Sequence, residues 1–106
     1  MDQIQLLKSV EATFKKGVAL IRTKNPDYAD VDKDAFKNFR FASLVGVGPK
    51  RAILVRISDK LARISNLIDR VGTEKVKNEK IEDTLLDLIN YTAILLAMIQ
   101  DERCTL

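Results

Sequence analysis

Glu79, Asp83 and Asp87 follow one another at intervals of four, so on a helix their carboxylates stack along one face and can share one or two magnesium ions. Upstream lies charge of the other sign. Residues 49–70 carry Lys50, Arg51, Arg56, Lys60, Arg63 and Arg70 against Asp59 and Asp69, net +4, whereas residues 79–101 carry five acidic residues against Lys80, net −4. Two readings follow from that polarity. The segments can be solvated faces that attract each other in the fold. Alternatively, the Lys/Arg set grips phosphate oxygens while the carboxylates hold a hard cation that bridges to the same phosphates. Histidine is absent, which excludes histidine triads, imidazole acid/base chemistry and zinc motifs that need an imidazole.

The elements that must position these residues are helices. The chain has 106 residues, 46% hydrophobic and 31% charged, which predicts one compact domain over 1–106. Ile4, Leu7, Phe14, Val18 and Ile21 recur at helical spacing and predict a helix over 3–23, which Asn25-Pro26 cannot continue. Asp32 or Asp34 can cap a short second helix reaching about Leu44. Val45-Gly46-Val47-Gly48-Pro49 then stops that helix and starts a third, over about 49–71. Along it Ile53, Leu54, Ile57, Leu61, Ile64, Leu67 and Ile68 share one broad face, opposite Arg56, Asp59, Arg63 and Asn66. A fourth helix opens at Asn78 or Glu79 and runs to about Asp101. No strand pattern occurs, so the expected fold is all-α.

The fourth helix contains an inconsistency with functional meaning. Glu79, Asp83, Asp87 and Asn90 fall in one sector, yet that sector becomes Ile94, Ala97 and Met98 further on. From Ala93 to Ile99 the helix is apolar all round, which predicts burial by its own chain and by a second copy, giving a homo-oligomer, dimer or tetramer. Carboxylates on a face that is buried further along would line an internal groove. Acidic residues are also favoured at a helix N-terminus by the helix dipole, with no further role.

Three strings extend this picture: Lys24-Asn25-Pro26-Asp27-Tyr28, the run from Leu54 to Leu67, and the run from Glu79 to Tyr91 with its Glu82-Asp83-Thr84-Leu85-Leu86-Asp87 centre. Together they resemble the nucleotide modification associated domain family, which is common in phages and similar to the MazG-like all-α nucleotide pyrophosphohydrolases. The resemblance spans roughly residues 10–100. It implies a four-helix MazG-like bundle, a phosphorylated nucleotide ligand, and a viral or bacterial setting. Carried over to this chain, it implies Glu79, Asp83 and Asp87 as Mg2+ ligands, with Asp59 and Asp87 as catalytic carboxylates for pyrophosphohydrolysis of a nucleoside triphosphate. Such chemistry needs clustered anions, because the metal neutralises charge that develops in phosphoryl transfer.

The chain departs from that pattern in one respect. The MazG-like helix carries Glu-Glu-x-x-Glu, whereas the matching helix here offers Arg56, Asp59, Lys60 and Arg63. Nucleotide binding survives this change better than hydrolysis does, since Arg56, Lys60 and Arg63 can grip phosphates directly. Asp59 and Arg63 also read as an ordinary i, i+4 surface pair. Tyr28 lies where the family has Asp-Tyr-Gly and could stack on a base, with Lys24 and Asp27 near the sugar or phosphate, or simply plug its loop onto the bundle. Asn90 could read a base edge or satisfy buried polar groups.

The sequence therefore supports two functional expectations. One is a Mg2+-dependent pyrophosphohydrolase; the other is a nonenzymatic phage protein that sequesters nucleotides, including cyclic signalling nucleotides. An extended nucleic-acid surface is not expected, because the basic residues have acidic neighbours. The longest apolar run, Ala93–Ile99, is too short for a membrane span. The Met1-Asp2-Gln3 start and the single Cys104 predict a cytoplasmic setting, that of a bacterial host if the source is a phage.

Overall fold

The computed structural model of the chain describes residues 1–24, 35–72 and 78–105, except the side chains of Lys24, Asn78, Glu79, Cys104 and Thr105. Four α-helices account for most of these residues: α1 (Gln3–Lys24), α2 (Lys37–Arg40), α3 (Pro49–Leu67) and α4 (Asn78–Thr105). No strand occurs among the described residues, so the fold is all-α. Contacts divide the chain into two units, residues 1–33 and 34–106.

In the first unit, α1 begins with a reciprocal cap. The Asp2 carboxylate accepts the Gln5 backbone N–H at 2.8 Å, and the Gln5 side-chain carbonyl accepts the Asp2 N–H at 2.8 Å. Two otherwise orphaned donors are thereby satisfied. The apolar stripe that makes α1 amphipathic, from Ile4 through Leu7, Val10 and Phe14 to Val18, is exposed.

The second unit is built around α3 and α4, which pack side by side. Their direction follows from three matched pairs: Lys50 meets Glu102, Arg56 meets Tyr91, and Lys60 meets Asp87. One index rises as the other falls, so the helices are antiparallel. Phe39, Ile53 and Met98 form the buried centre, with Phe36, Ile57, Tyr91, Ile94 and Leu95 packed against it. Thr84 is also buried, and its hydroxyl donates to the Lys80 carbonyl at 2.8 Å, so no polar atom is orphaned there.

The short second helix differs from expectation. It starts at Lys37, with Phe36 at the cap position and no side-chain cap bond, and after Arg40 it tightens into a 3-10 turn over Phe41–Val45. The proposed caps Asp32 and Asp34 lie outside the described residues. Phe36 and Phe39, three apart, both face the core, and a three-residue repeat keeps them aligned better than an α-helical one. Gly46 then takes φ +79° and closes the turn, with its N–H donating to the Ser43 carbonyl at 3.0 Å and that of Val47 to Ala42 at 3.0 Å. Gly48 is extended and Pro49 occupies the first helical turn of α3. The glycine–proline segment thus acts as a helix stop and restart.

α3 ends at Leu67 and passes into a 3-10 turn over Ile68–Arg70. Along α4, the all-round apolar stretch is covered on one side by its own chain. Met98 is buried, whereas Ala93 and Leu96 are exposed. None of the described helices is long and apolar enough to cross a membrane.

Candidate functional site on the polar face of the helix pair

Antiparallel packing gives the site its logic. Arg56 and Lys60 are four apart on α3, and Asp87 and Tyr91 are four apart on α4, so each pair forms two successive rungs on its helix. Running the helices in opposite directions sets Lys60 against Asp87 and Arg56 against Tyr91.

The Lys60 Nζ lies 3.1 Å from an Asp87 carboxylate oxygen, and the two side chains retain only 20% and 23% of their exposure. Partial burial raises the value of such a pair, because less water screens it, and also raises the cost of breaking it. One turn away, the Arg56 guanidinium carbon sits 5.3 Å from the Phe39 ring centroid and 5.9 Å from that of Tyr91. Both distances are within reach of the attraction between a cation and an aromatic face. Arg56 is otherwise exposed and forms no ion pair among the described residues. Its five N–H donors are therefore held by ring contacts while remaining open to an incoming acceptor. Asn90 is half-buried beside Asp87 and Tyr91 on α4.

Of the residues predicted from sequence, Arg56, Lys60, Asp87 and Asn90 thus gather along the α3–α4 interface. The expectation that the α4 carboxylate sector leads into a buried face holds as a gradient: Asp83 is exposed, Asp87 and Asn90 are half-buried, and Met98 is buried. Asp59 and Arg63 are exposed, and no ion pair joins them. Lys24, Asp27 and Tyr28, and the side chain of Glu79, lie outside the described residues.

Magnesium needs several oxygen ligands converging on one point. No group of three or more His, Cys, Asp or Glu residues that could hold a metal ion occurs among the described residues. The one half-buried carboxylate of the predicted set, Asp87, has an oxygen engaged by Lys60. This donor set does not fit a magnesium centre, and we derive no step through one.

Sequence reasoning missed Phe39 and Tyr91 as parts of the site. Tyr91 was recoverable: once the helices pair antiparallel with Lys60 against Asp87, the next rung must set Arg56 against Tyr91. Phe39 carried no such signal, because its place depends on how the Gly46 turn folds α2 back onto the pair.

Comparison with known families decides the affiliation. The family model described as nucleotide modification associated domain 1 matches residues 24–100, most of the chain and all of α3. The chain belongs to the nucleotide modification associated domain 1 family. Its matched region includes Arg56, Lys60, Asp87, Asn90 and Tyr91, together with Phe39 beneath the guanidinium. No curated protein and no solved structure matches the chain.

Proposed function

We propose that this member of the nucleotide modification associated domain 1 family binds a phosphorylated nucleotide on the polar face of the α3–α4 pair, without requiring a metal. The observation that carries the reading is the Arg56 guanidinium, held against Phe39 and Tyr91 one turn from the Lys60–Asp87 pair. A planar fork fixed by ring contacts suits phosphate oxygens, since little side-chain freedom remains to be lost on binding. Lys60 adds a second positive charge along the same face. Asp87 keeps the Lys60 ammonium in position and can accept a hydrogen bond from a sugar hydroxyl. Asn90 supplies both a donor and an acceptor for a base edge.

Asp83 and Asp59 are the carboxylates that a hydrolytic reading would need beside Asp87, with Glu79 at the start of α4. Hydrolysis is therefore an outcome of the test. Thermal melting is followed with canonical, modified and cyclic nucleotides, each with magnesium and with a chelator, and the ligand is then recovered and chromatographed. Binding that is insensitive to chelator, with the ligand intact, is the expected result. A ligand present at a hundred times its Kd stabilises the fold by about 2.7 kcal/mol, which a melting curve resolves readily. A shift seen only with magnesium, accompanied by monophosphate and pyrophosphate, would replace this reading with the pyrophosphohydrolase one. No shift with any nucleotide would overturn both.

A further inference from the structure

The broad apolar face of α3 is only half used. Ile53, Ile57 and Ile64 are turned toward α4 and the core, whereas Leu54, Leu61 and Ile68 are each about half exposed. These three are seven residues apart, and Ser58 and Ser65 fall between them. The series 54, 58, 61, 65, 68 alternates steps of four and three, the 3.5-residue repeat of a helix seam that faces another helix. The serines are small enough to let a second backbone approach closely.

α4 extends the same surface. Relative to the α3–α4 contact, the Leu54–Leu61–Ile68 stripe is rotated by about 90° one way, and Arg56 by about 60° the other. On α4, Leu85, Thr92 and Leu96 are rotated away from Asn90 in the same sense, because the antiparallel direction reverses the handedness of the count. The helix pair therefore has two faces. One carries Arg56, Lys60, Asp87 and Asn90; the other carries Leu54, Leu61, Ile68, Leu85 and Leu96, all exposed. The Thr92 hydroxyl donates to the Leu88 carbonyl at 2.8 Å, so it presents no unmet donor to that surface.

We propose that the apolar face is covered by the same face of a second copy, with the two α3 helices antiparallel across a two-fold axis at Leu61. The charges at its edge specify this occupant. Arg51 and Asp69 are both exposed, have no ion pair among the described residues, and stand 18 residues apart, five full turns, so they flank the stripe on one edge at opposite ends. A two-fold axis at Leu61 brings 54 opposite 68 of the partner and Arg51 opposite Asp69 of the partner, twice per dimer. An isologous interface requires this self-complementarity. A lipid surface would call for a rim of uniform positive charge, and this rim carries both signs.

The face is about 28 Å long and about 20 Å across and offers on the order of 600 Å² per copy, somewhat below the roughly 800 Å² of a standard interface. The dimer is therefore expected to dissociate on dilution. The inference does not depend on the ligand, since the stripe lies away from Arg56 and Lys60.

The test is sedimentation equilibrium of the full chain with charge-swap variants, joined to cysteine cross-linking in a Cys104→Ser background. A residue on a two-fold axis meets its own copy, so Leu61→Cys should form an intermolecular disulfide under mild oxidation, while Asn66→Cys, elsewhere on α3, should not. Arg51→Glu and Asp69→Arg should each weaken the dimer about tenfold, and the combined swap should restore it to within about threefold of the starting value. A monomer at every concentration overturns the proposal. So does a dimer that ignores the swaps, or one in which Leu61→Cys cross-links no better than Asn66→Cys.

Discussion

Arg56 owes its position to two aromatic rings from different elements, and that arrangement distinguishes a guanidinium from an ammonium. Replacing Arg56 by Lys keeps the charge but loses the flat contact with Phe39 and Tyr91 and the two-pronged donor. Cation–ring attraction at an exposed site is about 0.5–1 kcal/mol, so nucleotide affinity should fall about two- to fivefold from this loss alone, as measured by calorimetric titration. The Lys60–Asp87 pair gives a second expectation at this scale. Asp87→Asn leaves a half-buried ammonium without its counter-charge and should cost about 1–2 kcal/mol in urea unfolding, between the values for exposed and buried pairs. Adding Lys60→Met to Asp87→Asn should recover part of that loss, so a double-mutant cycle that returned no coupling would show the pair to be incidental. Asp59→Asn and Asp83→Asn, at exposed positions, should leave stability within about 0.5 kcal/mol.

At the scale of elements, the helix pair depends on one core residue and one turn. Ile53 is fully buried, at 0% exposure, between Phe39 and Met98. Ile53→Ala should destabilise the second unit by about 2–5 kcal/mol, and Ile53→Val by about 0.5–1.5 kcal/mol, as read from urea midpoints at constant m-value. Gly46 sits at φ +79° with open space where a Cβ would be placed, so the cost of Gly46→Ala is conformational only, about 1 kcal/mol. The helices themselves were legible because their apolar residues recur with strong period, and Gly48-Pro49 marked the start of α3 unambiguously. The 3-10 character of Phe41–Val45 was not legible. It arises from a tertiary demand, the placing of Phe36 and Phe39 on one core, that no local propensity encodes. The same limit applied to the site. Arg56, Lys60, Asp87 and Asn90 were found from charge and spacing, but the engagement of Asp87 by Lys60 became visible only with the pairing of the helices.

For the second unit as a whole, the polar and apolar sides of one helix pair divide the work: residues that could meet a phosphorylated ligand lie on one, and the exposed leucines on the other. The three matched pairs, 50 with 102, 56 with 91 and 60 with 87, depend on register within the helices and not on the length of chain that joins them. Lengthening between residues 70 and 78 should consequently leave ligand binding unchanged. One residue inserted within α4 between Asp87 and Tyr91 should turn every later side chain by about 100° and take Tyr91 off the Arg56 guanidinium. Thermal shifts with nucleotide measured on the two insertion variants separate these outcomes, and equal loss in both would show that the joining segment takes part. Across descendants of such a chain, length can therefore drift at the turn between these helices, whereas a single insertion or deletion inside either helix scrambles site and core together and is removed by selection.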